Sequence, residues 1–315
     1  MEIASGRCVV ASDLSHDDER ILVSIAQQGA LTVDQITRLH QRNANSLRRR
    51  LRRLRDQGFI DLSSRRLGAN RGRPENLVLL GPEGFERLRA VKALPPADSA
   101  TGPVKANCLE HELLVAEVRV QLAQMERLLP ELKTRFFTAT WPARTDSGEP
   151  FSIREKLDLG PDYGALEFVP DGVFSILHSR LGSTLLFFLE VDMGSQPGTS
   201  GRAPDRDIRR KIVNYQHCFG TGKYHRYERL LDCRLRGFRL LFVTESVNRC
   251  RFLCRQVRAM PPSDFVWLTD AGRLLKAGLW AAIWARGGWD TQAPESILGS
   301  QLPQQPAGPA GVAAI

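Results

Sequence analysis

Two groups of residues in this 315-residue chain have the types and spacing to do chemistry. The first is acidic. Pro170-Asp171 interrupts the apolar stretch Phe168-Val169-Pro170-Asp171-Gly172-Val173-Phe174-Ser175-Ile176, and 19 residues after Asp171 the segment Glu190-Val191-Asp192 closes the run Leu185-Leu186-Phe187-Phe188-Leu189. Carboxylates delivered from two neighbouring strands can share a hard divalent ion through oxygen ligands, and Asp171 and Glu190 are spaced to hold Mg²⁺ in that way. A metal so held activates water and neutralises charge building on a scissile phosphate. A third acid would come from the preceding helix, where Glu112 and Glu117 stand. The same residues admit another reading, strand-end acids paired with arginines, because residues 202–258 hold 15 Lys+Arg against 5 Asp+Glu.

The second group is basic. From Arg38 to Arg73 there are twelve arginines against Asp56 and Asp61, a local charge of +10. A helix expected from about Asn45 to Gln57 carries Leu47, Leu51 and Leu54 at i, i+4, i+7, one narrow apolar stripe, and Arg48, Arg49, Arg50, Arg52, Arg53 and Arg55 around it. Such a helix packs by its leucines and offers guanidinium groups to phosphates and guanine edges. In a helix-turn-helix the base-reading residues sit in the N-terminal part of the second helix, which nominates Asn45, Ser46, Arg48, Arg49 and Arg52. The tip Arg71-Gly72-Arg73-Pro74 could insert Arg71 or Arg73 into a narrow minor groove.

The elements that must position these groups are legible from caps and periodicity. Ser15 caps a helix carrying Ile21, Leu22 and Ile25, and Thr32 with Gln35 forms a capping box for the next. Gly58 offers a left-handed stop after the arginine helix. Strand-like runs at Phe59–Leu62 and Leu77–Leu80 flank the basic tip, and Pro82 opens a fourth helix. A Pro/Gly/Ser-rich stretch from Leu94 to Pro103 reads as a linker. Beyond it a long helix, about 108–129, precedes strand-like runs at 135–141, 166–177 and 185–192. A basic helix follows at 205–219, then a strand at 238–244, a helix at 247–258, a strand at 265–268 and a closing helix at 271–285. Trp280 and Trp284, one helical turn apart, and Trp289 read as packing for that last helix.

The expected fold class is therefore α+β or α/β. A winged helix-turn-helix (residues 1–92) and a linker (93–105) precede an α/β sandwich around a mixed sheet (106–290), and the Gln/Pro/Gly/Ala-rich tail (291–315) is disordered. Composition supports two soluble domains: 42% hydrophobic and 25% charged residues are ordinary for a globular protein. The net charge of +9 favours a polyanionic partner, with nucleic acid ahead of a membrane surface. No apolar stretch reaches the roughly 18–20 residues of a membrane span, and the start of the chain lacks a signal-peptide pattern, so a cytoplasmic location and no membrane partner are expected. The six cysteines contain no CxxC pair, which argues against a zinc ribbon; Cys250 and Cys254, four apart, read as reduced thiols. Gly220-Thr221-Gly222-Lys223 is not a P-loop, and Ser195 and Ser200 lack a nucleophile elbow.

The acidic constellation resembles the PD-(D/E)xK nucleases, with one departure: Asp192 stands where that motif has lysine. Lys211, in Arg209-Arg210-Lys211-Ile212-Val213-Asn214-Tyr215 on the next helix, is the candidate substitute. The resemblance implies a restriction-endonuclease-like domain with Asp171, Glu190, Asp192 and Lys211 as catalytic candidates. Over about residues 15–285 the chain also resembles the replication-relaxation family of plasmids and mobile elements. The residues that carry this are His111-Glu112-Leu113-Leu114-Val115-Ala116-Glu117-Val118-Arg119, Pro170-Asp171, Leu189-Glu190-Val191-Asp192-Met193-Gly194-Ser195 and Lys211…Tyr215. That resemblance implies the handling of double-stranded DNA in replication, mobilisation or relaxation. A relaxase or replication protein, or a second copy of the chain, would be a further partner. Two expectations stand side by side: a DNA-binding protein whose nuclease-like domain is a scaffold or grip, and a Mg²⁺-dependent endonuclease or nickase targeted by the winged helix.

Overall fold

In the computed structural model the described residues are 14–64, 76–94, 108–141, 143–145, 148–158, 165–194 and 204–299. They divide into two units, Met1–Val120 and Gln121–Ile315.

In the first unit, helix α1 (His16–Gln28) starts at a capping box in which Ser15 and Asp18 exchange hydrogen bonds. A short strand β1 (Ala30–Thr32) leads into α2 (Val33–His40), capped reciprocally by Thr32 and Gln35. After a turn with Gln41 in the left-handed region, Asn43 caps α3 (Ala44–Asp56). Gly58, at φ 78°, then turns the chain into β2 (Ile60–Ser64), where a residue with a Cβ would be strained. Strand β3 (Asn76–Leu80) pairs antiparallel with both β2 and β1, and α4 (Pro82–Ala90) closes the run. The pattern Leu47, Leu51, Leu54 buries fully, joining Ile21, Leu22, Ile25, Ile36, Val78 and Leu88 in one core. The N-terminal half of the long helix α5 (Leu109–Leu128) contributes Ala116 to this core. Strand β1 was not expected from sequence: three residues between two helices are too few to show alternation, and β1 exists because β3 offers it an edge.

In the second unit a six-stranded mixed sheet runs in the order β13 (Ala285–Arg286), β12 (Val266–Asp270), β11 (Arg239–Thr244), β10 (Ser183–Asp192), β9 (Gly172–His178), β4 (Leu132–Phe137). Strands β4, β9 and β10 form an antiparallel meander. Strand β11 lies parallel to β10, and β12 parallel to β11, as crossover connections require. Two small hairpins stand apart from this sheet: β5 (Ala143–Arg144) with β6 (Pro150–Phe151), and β7 (Glu155–Asp158) with β8 (Ala165–Phe168). Helices α6 (Pro204–Gly220), α7 (Arg226–Leu231) and α8 (Val247–Arg258) follow β10 and β11 in turn. Ile208, Ile212, Tyr215, Tyr227, Leu253 and Val257 pack with Val173, Phe188, Leu240, Phe242 and Leu268 in one core.

Three expectations need correction. The run 166–177 is not one strand: it divides at Val169–Asp171 into β8 and β9, which belong to different sheets. Pro170 donates no hydrogen bond to a ladder, so the division falls where the backbone must leave the sheet. The closing helix is also shorter than expected. Helix α9 spans Ala271–Ala277 and ends at Gly278, after which the chain turns into β13 (Ala285–Arg286). Trp284 is buried by donating its indole N–H to the Leu279 carbonyl at 2.8 Å rather than by lying on a helical face. The expected disordered tail 291–315 also begins too early, because Glu295 bridges to Trp284 and Ile297 is buried; the basic tip 65–75, the 95–107 stretch, Ser195, Ser200 and residues 300–315 lie outside the described residues.

Candidate functional site

Asp171 immediately precedes β9, and Glu190 lies on the neighbouring antiparallel strand β10. The Asp171 N–H donates to the Leu189 carbonyl (3.1 Å) and its Oδ2 accepts from the Val191 N–H (2.7 Å). Gly172 follows because a Cβ there would come within 2.9 Å of the Phe136 ring. Glu190 points into the core and is 1% exposed. Its Oε1 accepts from the Tyr215 hydroxyl at 2.6 Å, and its Oε2 is paired with the Lys211 ammonium. Lys211 and Tyr215, one turn apart on α6, therefore close on the two oxygens of one buried carboxylate.

The electrostatics follow from that burial. Desolvation raises the Glu190 carboxyl, Lys211 pulls it down and the nearby Asp171 charge pushes it up again, which leaves it at about 7. Burial lowers the Lys211 ammonium, but Glu190 and then Asp171 outweigh it and leave the lysine above its ordinary value. Burial, followed by the Glu190 charge, raises the Tyr215 phenol well above the ordinary range.

Asp192 does something else. Its Oδ2 accepts from Arg249 Nε of α8 at 2.6 Å and its Oδ1 from the Gly194 N–H at 3.1 Å, while its carbonyl accepts from the Glu245 N–H at 2.9 Å. The acid in the position of the motif lysine thus ties the end of β10 to the β11–α8 turn. Arg249 was not named from sequence, since only the parallel pairing of β10 and β11 brings it there. Glu117 is engaged within the first unit by both terminal nitrogens of Arg38, at 2.7 and 2.6 Å, and by Gln35.

A second buried acid escaped sequence reasoning. Glu155, 1% exposed, accepts from the Tyr227 hydroxyl at 2.7 Å and from Arg226 at 3.1 Å. Burial raises its carboxyl above the ordinary value. A glutamate capped by one tyrosine and one cation therefore occurs twice, and Tyr215 and Tyr227 both pack their rings on Phe188. Among the described residues no group of three or more His, Cys, Asp or Glu side chains is arranged to hold a metal ion.

In the first unit α3 sorts its arginines. Arg50 and Arg53 turn to the buried Asp18 of α1, at 3.4 and 2.9 Å, and Arg55 pairs with Asp56. Asn45, Ser46, Arg48, Arg49 and Arg52 are exposed, and among the described residues Arg48, Arg49 and Arg52 have no ion-pair partner. Positions 45, 48, 49 and 52 share one face of the helix, opposite the leucines. Arg71 and Arg73 lie outside the described residues.

Together these units define an α+β protein with a cationic helical face in one unit and capped, buried carboxylates in the other. The replication-relaxation family profile matches residues 22–232. The chain belongs to the replication-relaxation family, which associates it with the replication or relaxation of mobile elements. No curated protein and no solved structure matches it. Among the described residues no helix is long and apolar enough to cross a membrane.

Proposed function

We propose that the protein binds double-stranded DNA in the replication, mobilisation or relaxation of a plasmid or mobile element. In this reading α1–α4 and the three-stranded sheet are a winged helix-turn-helix. Helix α3 enters the major groove with Asn45, Ser46, Arg48, Arg49 and Arg52, and Arg71 and Arg73 reach the minor groove. The second unit is a PD-(D/E)xK-type sandwich that serves as scaffold and grip, with a relaxase or replication protein as its protein partner. One observation carries the reading: Arg48, Arg49 and Arg52 of α3 have no ion-pair partner among the described residues and share a single outward face. A solvated helix mixes both signs of charge, whereas a phosphate-binding face does not. The test is fluorescence anisotropy of the full chain on a mixed-sequence duplex of about 30 bp. Replacing Arg48, Arg49 and Arg52 with alanine should weaken binding strongly; unchanged affinity would overturn the reading.

The nuclease reading has one observation in its favour, the Lys211 ammonium beside Asp171 and Glu190. Against it stands the state of Glu190. A Mg²⁺ ion takes about six oxygens at roughly 2.1 Å, several of them water. Glu190 is shielded from water, and both its oxygens are engaged by Lys211 and Tyr215. Glu155, capped in the same manner by Tyr227 and Arg226, indicates that the trio is a way of burying a carboxylate in this unit. These residues do not fit a Mg²⁺ centre, and we derive no catalytic step from them. Supercoiled DNA incubated with the protein and Mg²⁺ should stay intact. Cleavage that is lost in both Asp171→Ala and Glu190→Ala would instead establish the nuclease.

A further inference from the structure

We propose that helices α6 and α8 form a second contact for the phosphate backbone of duplex DNA, on the second unit. The inference rests on the DNA-binding reading above and adds a surface to it. Helices α6 and α8 lie side by side: Arg209 Nε of α6 donates to Gln256 Oε1 of α8 at 3.1 Å, and Gln216 reaches the Met260 carbonyl just past α8 at 2.7 Å. Their inner faces share one core, through Ile208, Ile212 and Tyr215 on one helix and Leu253, Cys254 and Val257 on the other.

Their cations divide into two sets. Lys211 and Arg249 turn to Glu190 and Asp192, and Arg258 pairs with Asp290 at 3.7 Å. Arg209 and Arg210 of α6 and Arg251 and Arg255 of α8 are exposed, and among the described residues none of the four has an ion-pair partner. From Ile208 to Gly220 and from Val247 to Arg258 the two helices carry seven Lys or Arg and no Asp or Glu. The nearest acids in sequence are Asp205 and Asp207 in the first turn of α6 and the exposed Glu245 before α8. Like charges crowded on adjacent helices repel one another, and a polyanion relieves that repulsion.

Arginine is suited to the partner, since its planar fork meets phosphate oxygens in pairs. A membrane surface would ask for a row of apolar anchors as well. On the two helices the exposed large apolar side chains are Val213, Val247 and Phe219, the last packed against the Phe238 and Phe265 rings, and Phe252 lies under the guanidinium groups of Arg249 and Arg255. The chemistry is that of a sequence-independent phosphate contact, complementary to base reading by α3.

The test measures DNA affinity of the full chain against salt, on the same mixed-sequence duplex, for three proteins: wild type, R209A/R210A/R251A/R255A, and R48A/R49A/R52A. Each phosphate contact contributes about 0.9 to the slope of log K against log salt, so the quadruple variant should flatten the slope by roughly 3 to 4. Its melting temperature should match wild type, because the four side chains are exposed. If the quadruple variant does not fold, R210Q/R251Q should flatten the slope by about half as much. A quadruple variant with the wild-type slope would overturn the proposal and leave the α3 reading in place. A flattened slope in the quadruple variant beside an unaltered R48A/R49A/R52A variant would keep this surface and remove α3. Binding of the wild type to phosphatidylserine vesicles that the four changes abolish, with DNA affinity unaltered, would assign the face to membranes and overturn the proposal.

Discussion

Helix α3 and helix α6 are both rich in cations and both pack one apolar face on a core, yet they use their charge differently. On α3 two arginines are spent on Asp18 and one on Asp56, and Arg48, Arg49 and Arg52 face solvent. On α6 the central cation, Lys211, turns inward to a carboxylate that is 1% exposed. A cation held by a buried acid supports the fold, and its removal strands a charge out of water. A cation without an acid contributes little to the fold and is available to a ligand. Arg48, Arg49 and Arg52 of α3 and Lys211 of α6 should therefore respond in opposite ways to alanine, the first three in binding and the last in stability.

The largest effect should come from α3. Replacing Arg48, Arg49 and Arg52 with alanine removes contacts worth roughly 1–3 kcal/mol each where they are base-specific, several kcal/mol of DNA affinity in all. The same variant should unfold within about 0.5 kcal/mol of wild type, because surface changes away from special features rarely cost more. Anisotropy and urea melts on one preparation check both halves. A triple variant that loses stability rather than affinity would break the comparison.

How much of this was legible beforehand follows from the range of the interactions. The Ser15 cap of α1, the capping box of α2, the leucine stripe of α3 and the start of α4 at Pro82 are local, set within a few residues, and the structure has them where the sequence implied. The outward face 45, 48, 49, 52 follows from the same periodicity. The partners of the acids are not local. Lys211 could be named because its helix follows β10 directly. Arg249 reaches Asp192 only through the parallel pairing of β10 with β11. Glu155 sits in a short hairpin whose sequence carries no alternation signal, and its partners lie 71 and 72 residues downstream. The sequence also could not say whether Glu190 faces water or core, and that distinction separates a metal ligand from a buried polar anchor.

Next in size is the loss of the buried pair. Breaking such a pair by removing one partner costs about 3–5 kcal/mol when both are fully buried. The Lys211 side chain keeps 40% exposure, so solvent screens part of this, and Lys211→Ala should cost about 2–3 kcal/mol. The double variant Lys211→Ala with Glu190→Gln should recover part of that loss, since no charge is then left stranded. A double-mutant cycle measured by urea denaturation gives the coupling. Additive losses would mean that the two side chains do not act as a pair.

Glu190 should also leave a mark on the pH dependence of stability. Its folded carboxyl titrates at about 7 against an ordinary value of 4.5, so between these limits the folded state holds a proton that the unfolded state has released. The Glu190 contribution to stability is therefore full below pH 4.5 and declines as pH rises towards about 7. Lys211, raised above its ordinary value, contributes constantly over this window. Glu155 is shifted in the same direction by burial and adds to the decline. Melting temperatures at pH 5 and pH 7.5 should thus fall less in Glu190→Gln than in wild type. An equal fall in the two proteins would mean that Glu190 ionises in the folded state as it does in water.

The smallest effect sharpens the first half of the comparison. Asn43 sits outside the α3 arginine row and sets where that row begins. Its Oδ1 accepts from the N–H groups of Asn45 and Ser46, at 3.0 and 3.3 Å, which satisfies two of the donors left open at the first turn. Asn43→Ala should cost about 1 kcal/mol of stability, the usual value for an N-cap side chain. Asn43→Asp should restore it, because a carboxylate accepts the same bonds and suits the positive end of the helix dipole. For DNA the two variants should diverge in the other direction. The alanine variant keeps every arginine and should bind close to wild type, whereas the aspartate variant adds a negative charge beside Asn45 and should bind more weakly. Equal affinity of both variants at low salt would place the phosphates away from the start of α3 and move the contact towards Arg52.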